Sequence, residues 1–216
     1  MDRRHFMTSG AAFMGMAGIS SARAGDGLDR SWEIGPVIRG RNYSVGMPLH
    51  PAALNAGWYF DFPAPSRSEG HVHYVTRRTG PLVGARGLRL HYRIDAPQRT
   101  RFVPQEHPDR QGLLSLFIQR KRDNWLARGR TRFHRWYSPN SRVMPLERGE
   151  HELTILFDEN WISVMGSDRQ RSPREFEEAL ADAARIGFTF GSNGGRGHGV
   201  YATAPARFTL LAFTVL

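Results

Sequence analysis

The densest chemistry in the sequence lies in the run Arg120-Lys121-Arg122-Asp123-Asn124-Trp125-Leu126-Ala127-Arg128-Gly129-Arg130-Thr131-Arg132-Phe133-His134-Arg135-Trp136-Tyr137. Seven basic residues stand against one acid there, interleaved with aromatic rings. A guanidinium fork holds a carboxylate or sulfate at two points, and an indole face stacks on the C–H face of a sugar ring. Trp125, Arg132, His134, Arg135 and Trp136 are therefore the candidate binding residues for an anionic saccharide. Folded as a hairpin, with 131–137 as one arm, the run puts Arg132, His134 and Trp136 on one face and Phe133, Arg135 and Tyr137 on the other. The same residues also read as a solvated arginine-rich hairpin with Trp136 in the core. Nucleic acid would suit the charge equally; it is set aside because the leader described below directs the chain out of the cytoplasm.

Catalysis asks for more specific groupings. A lyase acting on a uronate polymer needs a cation to neutralise the carboxylate and a base for the proton α to it. Tyr137, His134, Arg135 and Gln119 are the right residue types. Glycoside hydrolysis needs two carboxylates flanking one bond; Glu147, Glu150, Glu152, Asp158 and Glu159 form a local cluster after the basic run. A nucleophilic serine lacks its Gly-x-Ser-x-Gly elbow, and Gly166-Ser167-Asp168 reads as a turn. His71 and His73 share a strand face at a metal-ligand spacing, with His91 and His134 as conceivable partners, or else they are ordinary solvent-facing histidines. The glycine-rich stretch 191–199 has no Lys-Ser/Thr pair and no following helix, so it reads as a hairpin turn and not a phosphate loop. With no cysteine at all, disulfides, iron–sulfur centres, Cys-ligated zinc and thiol nucleophiles are excluded. Lys121 is the sole lysine, which nearly excludes Schiff-base chemistry as well.

The elements that must position these residues are strands. At 40% hydrophobic and 23% charged, the 216 residues have the composition of a globular protein large enough to bury a core. Period-two runs rich in Val, Ile, Phe, Tyr, Trp and Thr occur at 58–62, 71–78, 87–94, 113–120, 131–137, 150–157, 161–165, 187–191 and 207–215. Leu88, Leu90, Tyr92 and Ile94 alternate with Arg89, His91 and Arg93, and Leu153, Ile155 and Phe157 with Glu152, Thr154 and Leu156. Such a sheet has one face buried and one in water. Nine short strands at this spacing predict an all-β, two-sheet antiparallel sandwich. One short helix interrupts it, predicted over 173–185. Ser172-Pro173-Arg174-Glu175 is a capping box with proline at the first helical position, and Phe176, Leu180, Ala183 and Ala184 recur at helical spacing. The segment 98–111, with Pro104 and Pro108, is the predicted long loop.

Residues 1–24 read as a secretory signal peptide: a basic start, a short Gly/Ala-rich apolar stretch and Ala22-Arg23-Ala24 as the cleavage site. Arg3-Arg4-His5-Phe6 resembles the core of a twin-arginine (Tat) signal, a Sec signal being the alternative. Removing three arginines and one aspartate with it leaves residues 25–216, expected as a single domain of net charge +8 with no transmembrane segment, periplasmic or secreted.

The chain resembles the jelly-roll sandwiches of the galactose-binding-like superfamily, which includes many carbohydrate-binding modules. The resemblance rests on a short helix before the penultimate strand, the run Ile186-Gly187-Phe188-Thr189-Phe190-Gly191, a glycine-rich turn and a final strand over 206–215. It also resembles a group of exported bacterial proteins carrying Gly197-His198-Gly199-Val200-Tyr201-Ala202-Thr203. The resemblance implies a jelly roll that binds saccharide; no cofactor is expected from the residues, and a structural Ca2+ is implied by the resemblance alone, with no ligand set matched in this sequence. The expected function is an exported, non-catalytic domain for an acidic saccharide. A polysaccharide lyase on a uronate polymer and a structural or partner-binding envelope protein are the alternatives. Replacing Arg3 and Arg4 by lysine is expected to trap precursor in a Tat-competent cell; export unaffected by loss of the Tat machinery would contradict the assignment.

Overall fold

The computed structural model describes residues 24–65 and 72–216. The leader up to Arg23 and His71 lie outside the described residues. In chain order the strands begin β1 Ala24–Leu28, β2 Trp32–Gly35, β3 Val37–Ile38, β4 Arg41–Asn42, β5 Ala52–Leu54, β6 Trp58–Asp61, β7 His73–Arg78, β8 Gly87–Asp95 and β9 Phe102–Pro104. They continue β10 Leu113–Arg120, β11 Arg135–Tyr137, β12 Met144–Pro145, β13 Gly149–Leu156 and β14 Ile162–Ser163. After the α-helix α1 Pro173–Ala181 come β15 Ala183–Gly191, β16 Val200–Ala202 and β17 Arg207–Val215.

Two antiparallel sheets face each other. The back sheet runs β1-β5-β6-β17-β8-β13 and the front sheet β14-β11-β10-β15-β7-β2, with β12 also on β10. This is the predicted all-β jelly-roll sandwich with one short helix. Between the sheets lies an aromatic core in which Trp58, Phe60, Phe188, Phe190 and Phe208 meet ring to ring; Phe60 and Phe208 stack 5.1 Å apart. Helix α1 closes one end by inserting Phe176 between Trp136 (5.0 Å) and Trp161 (5.9 Å).

The back sheet follows the sequence pattern: Leu88, Leu90, Tyr92, Ile94, Leu153 and Ile155 are buried. Arg89 pairs with Glu152 and His91 with Glu150 across strands β8 and β13 on the solvent face. The front sheet does not follow it. In β10, both faces from Leu114 to Gln119 are buried, because loops cover the outer side as well.

Three boundaries differ from the sequence expectation. The predicted strand over 131–137 is a strand only from Arg135; Gly129–Phe133 is a 3-10 turn. There the Thr131 hydroxyl accepts from the Arg128 amide (3.0 Å) and donates to the Arg128 carbonyl (2.9 Å), giving the backbone a local alternative to a ladder. The helix stops at Ala181, not 185, since Ala183 already pairs with Arg120 at the start of β15. The glycine-rich stretch is a turn, but β16 beyond it pairs with β9 and not with β15, so β9 breaks the predicted loop 98–111.

Ser172 does not cap the helix with its side chain; its hydroxyl meets Ser167 Oγ at 2.8 Å. Ser172→Ala is therefore expected to cost about 1 kcal/mol, the value of one ordinary hydrogen bond. Phe176→Ala should cost about 3–5 kcal/mol. Urea denaturation of both variants checks this; a smaller loss for Phe176→Ala would place the ring outside the core.

Candidate functional site

Strand register lays three rows of residues across the outer face of the front sheet. Ser115, Thr189, Tyr74 and Gly35 form the first. Tyr137, Phe117, Gly187, Thr76 and Glu33 form the second, and Arg135, Gln119, Arg185 and Arg78 the third. Gly187 keeps the middle low, since a Cβ there would lie 2.0 Å from the Val75 carbonyl oxygen. Over this floor Tyr74, Phe117 and Tyr137 pack as a second, small apolar cluster, with Val72, Trp125 and Val164 against it.

Two loops close on the cluster. The first, after β10, is fastened by an ion pair between Arg135 Nε and Asp123 Oδ2 at 3.1 Å, the side chains only 7% and 1% exposed. Asp123 also accepts from Gln119 Nε2 (2.8 Å) and the Trp125 amide (3.2 Å), while Arg135 Nη2 donates to the Trp125 carbonyl (2.9 Å). The Arg135 guanidinium lies 4.9 Å from the centre of the Trp125 ring, which meets Tyr74 edge-on. Burial works against the Arg135 charge, but Tyr137, Tyr74 and Asp123 outweigh it and hold its pKa above the ordinary value.

The second loop, 192–199, brings Arg196 over the Tyr137 ring at 5.8 Å. Gly197 (φ +79°) makes this approach possible: a Cβ there would come within 2.4 Å of the Tyr74 phenol. The Arg196 guanidinium donates to the Ser138 carbonyl, to Asn140 Oδ1 and to Ser115 Oγ (3.3 Å). No carboxylate pairs with it among the described residues, and burial lowers its pKa to about 10. Beneath it the Tyr74 and Tyr137 hydroxyls share a 2.7 Å hydrogen bond, and burial raises the pKa of both. A hollow of about 480 Å3 opens here, lined by Tyr74, Tyr137, Asn140, Arg171, Arg196 and His198 among others. His198 Nδ1 lies 2.6 Å from Glu106 Oε1.

The residues singled out in the sequence separate. Trp125, Arg135, Tyr137 and Gln119 come together on the outer face of the front sheet. Arg132 and His134 lie elsewhere, around a depression shared with Arg120, Arg130, Glu175 and Glu178. His134 is held below its ordinary pKa by burial and by the Arg120 charge. Trp136 is wholly buried (0%) in the core, its indole N–H donating to the Phe133 carbonyl, so its ring offers no stacking face. Arg132, His134 and Trp136 thus do not form one face: the 3-10 turn rotates the first two away before the strand begins. His73 is buried, its Nδ1 accepting from the Val200 amide, and His91 is on the back sheet. Among the described residues no three His, Asp or Glu side chains gather as a metal site. Glu150 and Glu152 are occupied by His91 and Arg89. Sequence reasoning missed Tyr74, Asp123 and Arg196. The available signal was an arginine flanked by glycines in 195–197, where the backbone can approach an aromatic floor.

Asp123→Asn strips the buried Arg135 of its counter-charge and is expected to cost about 3–5 kcal/mol. Asp95→Asn, which breaks an exposed pair with Arg93, should cost under about 1 kcal/mol. Chemical denaturation of the two variants checks this; equal losses would mean that the Asp123–Arg135 pair does not fasten the loop.

Compared with known proteins, the chain matches no family model, no curated protein and no solved structure, so what its front-sheet hollow can do follows from the side chains that line it.

Proposed function

We propose that the chain is an exported domain that binds an acidic saccharide in the hollow between the glycine-rich loop and the front sheet, without cutting it. The observation that carries this is Arg196. It is a part-buried guanidinium with polar neighbours that makes no ion pair among the described residues, facing a cavity of ligand size whose one lining carboxylate, Asp168, lies 3.7 Å from Arg171. A sugar carboxylate or sulfate supplies the missing charge and accepts two parallel N–H bonds. Asn140, Asn193 and His198 around the rim supply hydrogen bonds suited to hydroxyl groups. The excess of basic residues across the chain supports attraction of a polyanion at long range. Export rests on the leader read in the sequence. Among the described residues no helix is long and apolar enough to cross a membrane.

The raised pKa values of Tyr74 and Tyr137 keep both phenols protonated near neutral pH, which suits hydrogen-bond donation and makes them poor bases. One feature favours the lyase reading: His198, oriented by Glu106, is exposed in the same hollow and could accept a proton.

Affinity electrophoresis on uronate-containing, sulfated and neutral glycans tests the proposal. Charge-assisted hydrogen bonds are worth about 1.5–3 kcal/mol, so Arg196→Ala should weaken binding by roughly tenfold or more. The loss should shrink as salt rises and the screening length falls from about 10 Å at 0.1 M toward about 3 Å at 1 M. Arg132→Ala, in the separate depression, should bind as the parent does. Equal binding by Arg196→Ala, or equal retention by neutral glycans, would contradict the proposal. Release of an unsaturated uronate that His198→Ala abolishes would replace binding by elimination.

A further inference from the structure

Tyr74 borders a second hollow on its other side, of about 400 Å3, over β15, β7 and β2. Its wall is the loop 121–128, where Arg122 (φ 62°), Trp125 (φ 66°) and Ala127 (φ 53°) all adopt the left-handed conformation. Residues with a Cβ disfavour that conformation, and three within six positions persist only where their surroundings fix them. The Asp123–Arg135 pair does the fixing, and its result is a Trp125 ring held edge-on to Tyr74 at 4.9 Å.

The charges of this hollow are unequal. Glu33 is already paired with Arg185, and Arg120 with Glu178 and Asp182. Asp123 is committed to Arg135. Lys121, Arg122 and Arg78 also line the hollow, and none makes an ion pair among the described residues. Cations, an indole and the Gln119 and Thr76 side chains thus collect on one side of Tyr74, and Arg196 stands on the other.

We infer that the two hollows are halves of one binding site, so that the ligand is a linear acidic oligosaccharide of at least two units crossing Tyr74. One charged unit lies at Arg196 and a following unit lies between Trp125 and the Lys121–Arg122 cations. This rests on the reading of Arg196 as the anion site. A chain that engages both halves gains from its second contact without the entropic cost of a separate encounter, so affinity rises with ligand length.

Isothermal titration of the full chain with galacturonic acid and with its tetramer tests this. The parent is expected to bind the tetramer at least tenfold more tightly than the monomer. The double variant Lys121→Ala/Arg122→Gly removes both cations and puts glycine where φ is positive, which the fold tolerates. It should bring the tetramer-to-monomer ratio close to one. A ratio near one in the parent, or an undiminished ratio in the double variant, would overturn the two-halved site while leaving Arg196 as an anion site. If Arg196→Ala binds monomer and tetramer as the parent does, the anion site itself is wrong and the inference falls with it.

Discussion

The front of the molecule depends on one buried ion pair, Arg135 with Asp123. Taking both charges out of water is costly, and their mutual attraction repays it only if the remaining donors and acceptors are satisfied. Here Gln119 and the Trp125 amide serve Asp123 and the Trp125 carbonyl takes Arg135 Nη2, while Arg135 Nε has only the ion contact. The pair is an ion contact more than an aligned hydrogen bond at Nε, which leaves Nη2 free to pin the loop backbone. A loop with three non-glycine residues at positive φ would not hold its shape alone. Fastened to β11, it becomes a wall of the front-sheet face and fixes the rim on which Trp125 stands.

The same face carries two arginines of opposite condition. The charge of Arg135 is neutralised within the protein, so it contributes architecture. Among the described residues, that of Arg196 is met by a carbonyl, an amide oxygen, a hydroxyl and the Tyr137 ring face, with no ion pair. Dipoles of this kind position a guanidinium without cancelling its charge, and the remaining field points into the hollow. The Tyr74–Tyr137 pair sits under it as a neutral support. In the function proposed above, an anionic ligand is the missing partner, and saccharide hydroxyls would meet the amide and imidazole groups around it.

Much of the scaffold was legible in the sequence. Alternation in Gly87–Asp95 and Gly149–Leu156 reports a sheet with one wet face, and the back sheet is that sheet. Phe176 could be placed in the core because proline and serine mark the start of its helix. The helix end was less legible, because Ala183 stands at helical spacing from Phe176 and Leu180 yet opens β15, where an irregularity shifts the register before Arg185. The front sheet was hidden for a related reason: Leu113–Arg120 is apolar on both faces, and sequence cannot say whether loops or a second layer cover the outer one. The basic run misled by being read as regular. Gly129–Phe133 is a 3-10 turn and the strand begins only at Arg135, so alternation over 131–134 carried no information about faces. The structure brings Trp125, Arg135 and Tyr137 of that run together, while Trp136 belongs to the core. Arg196 and Tyr74, far apart in sequence, meet only through the return of the 192–199 loop over β7.

As proposed above, Arg196 holds an anion carried by a saccharide. A crystal structure of the protein soaked with a uronate tetrasaccharide tests it most directly. The expected result is a sugar carboxylate about 3 Å from the Arg196 guanidinium nitrogens, with the Ser138 and Asn140 contacts kept on the protein side. A sugar bound on the back sheet or over the 129–133 turn, with Arg196 still held only by its protein neighbours, would contradict it.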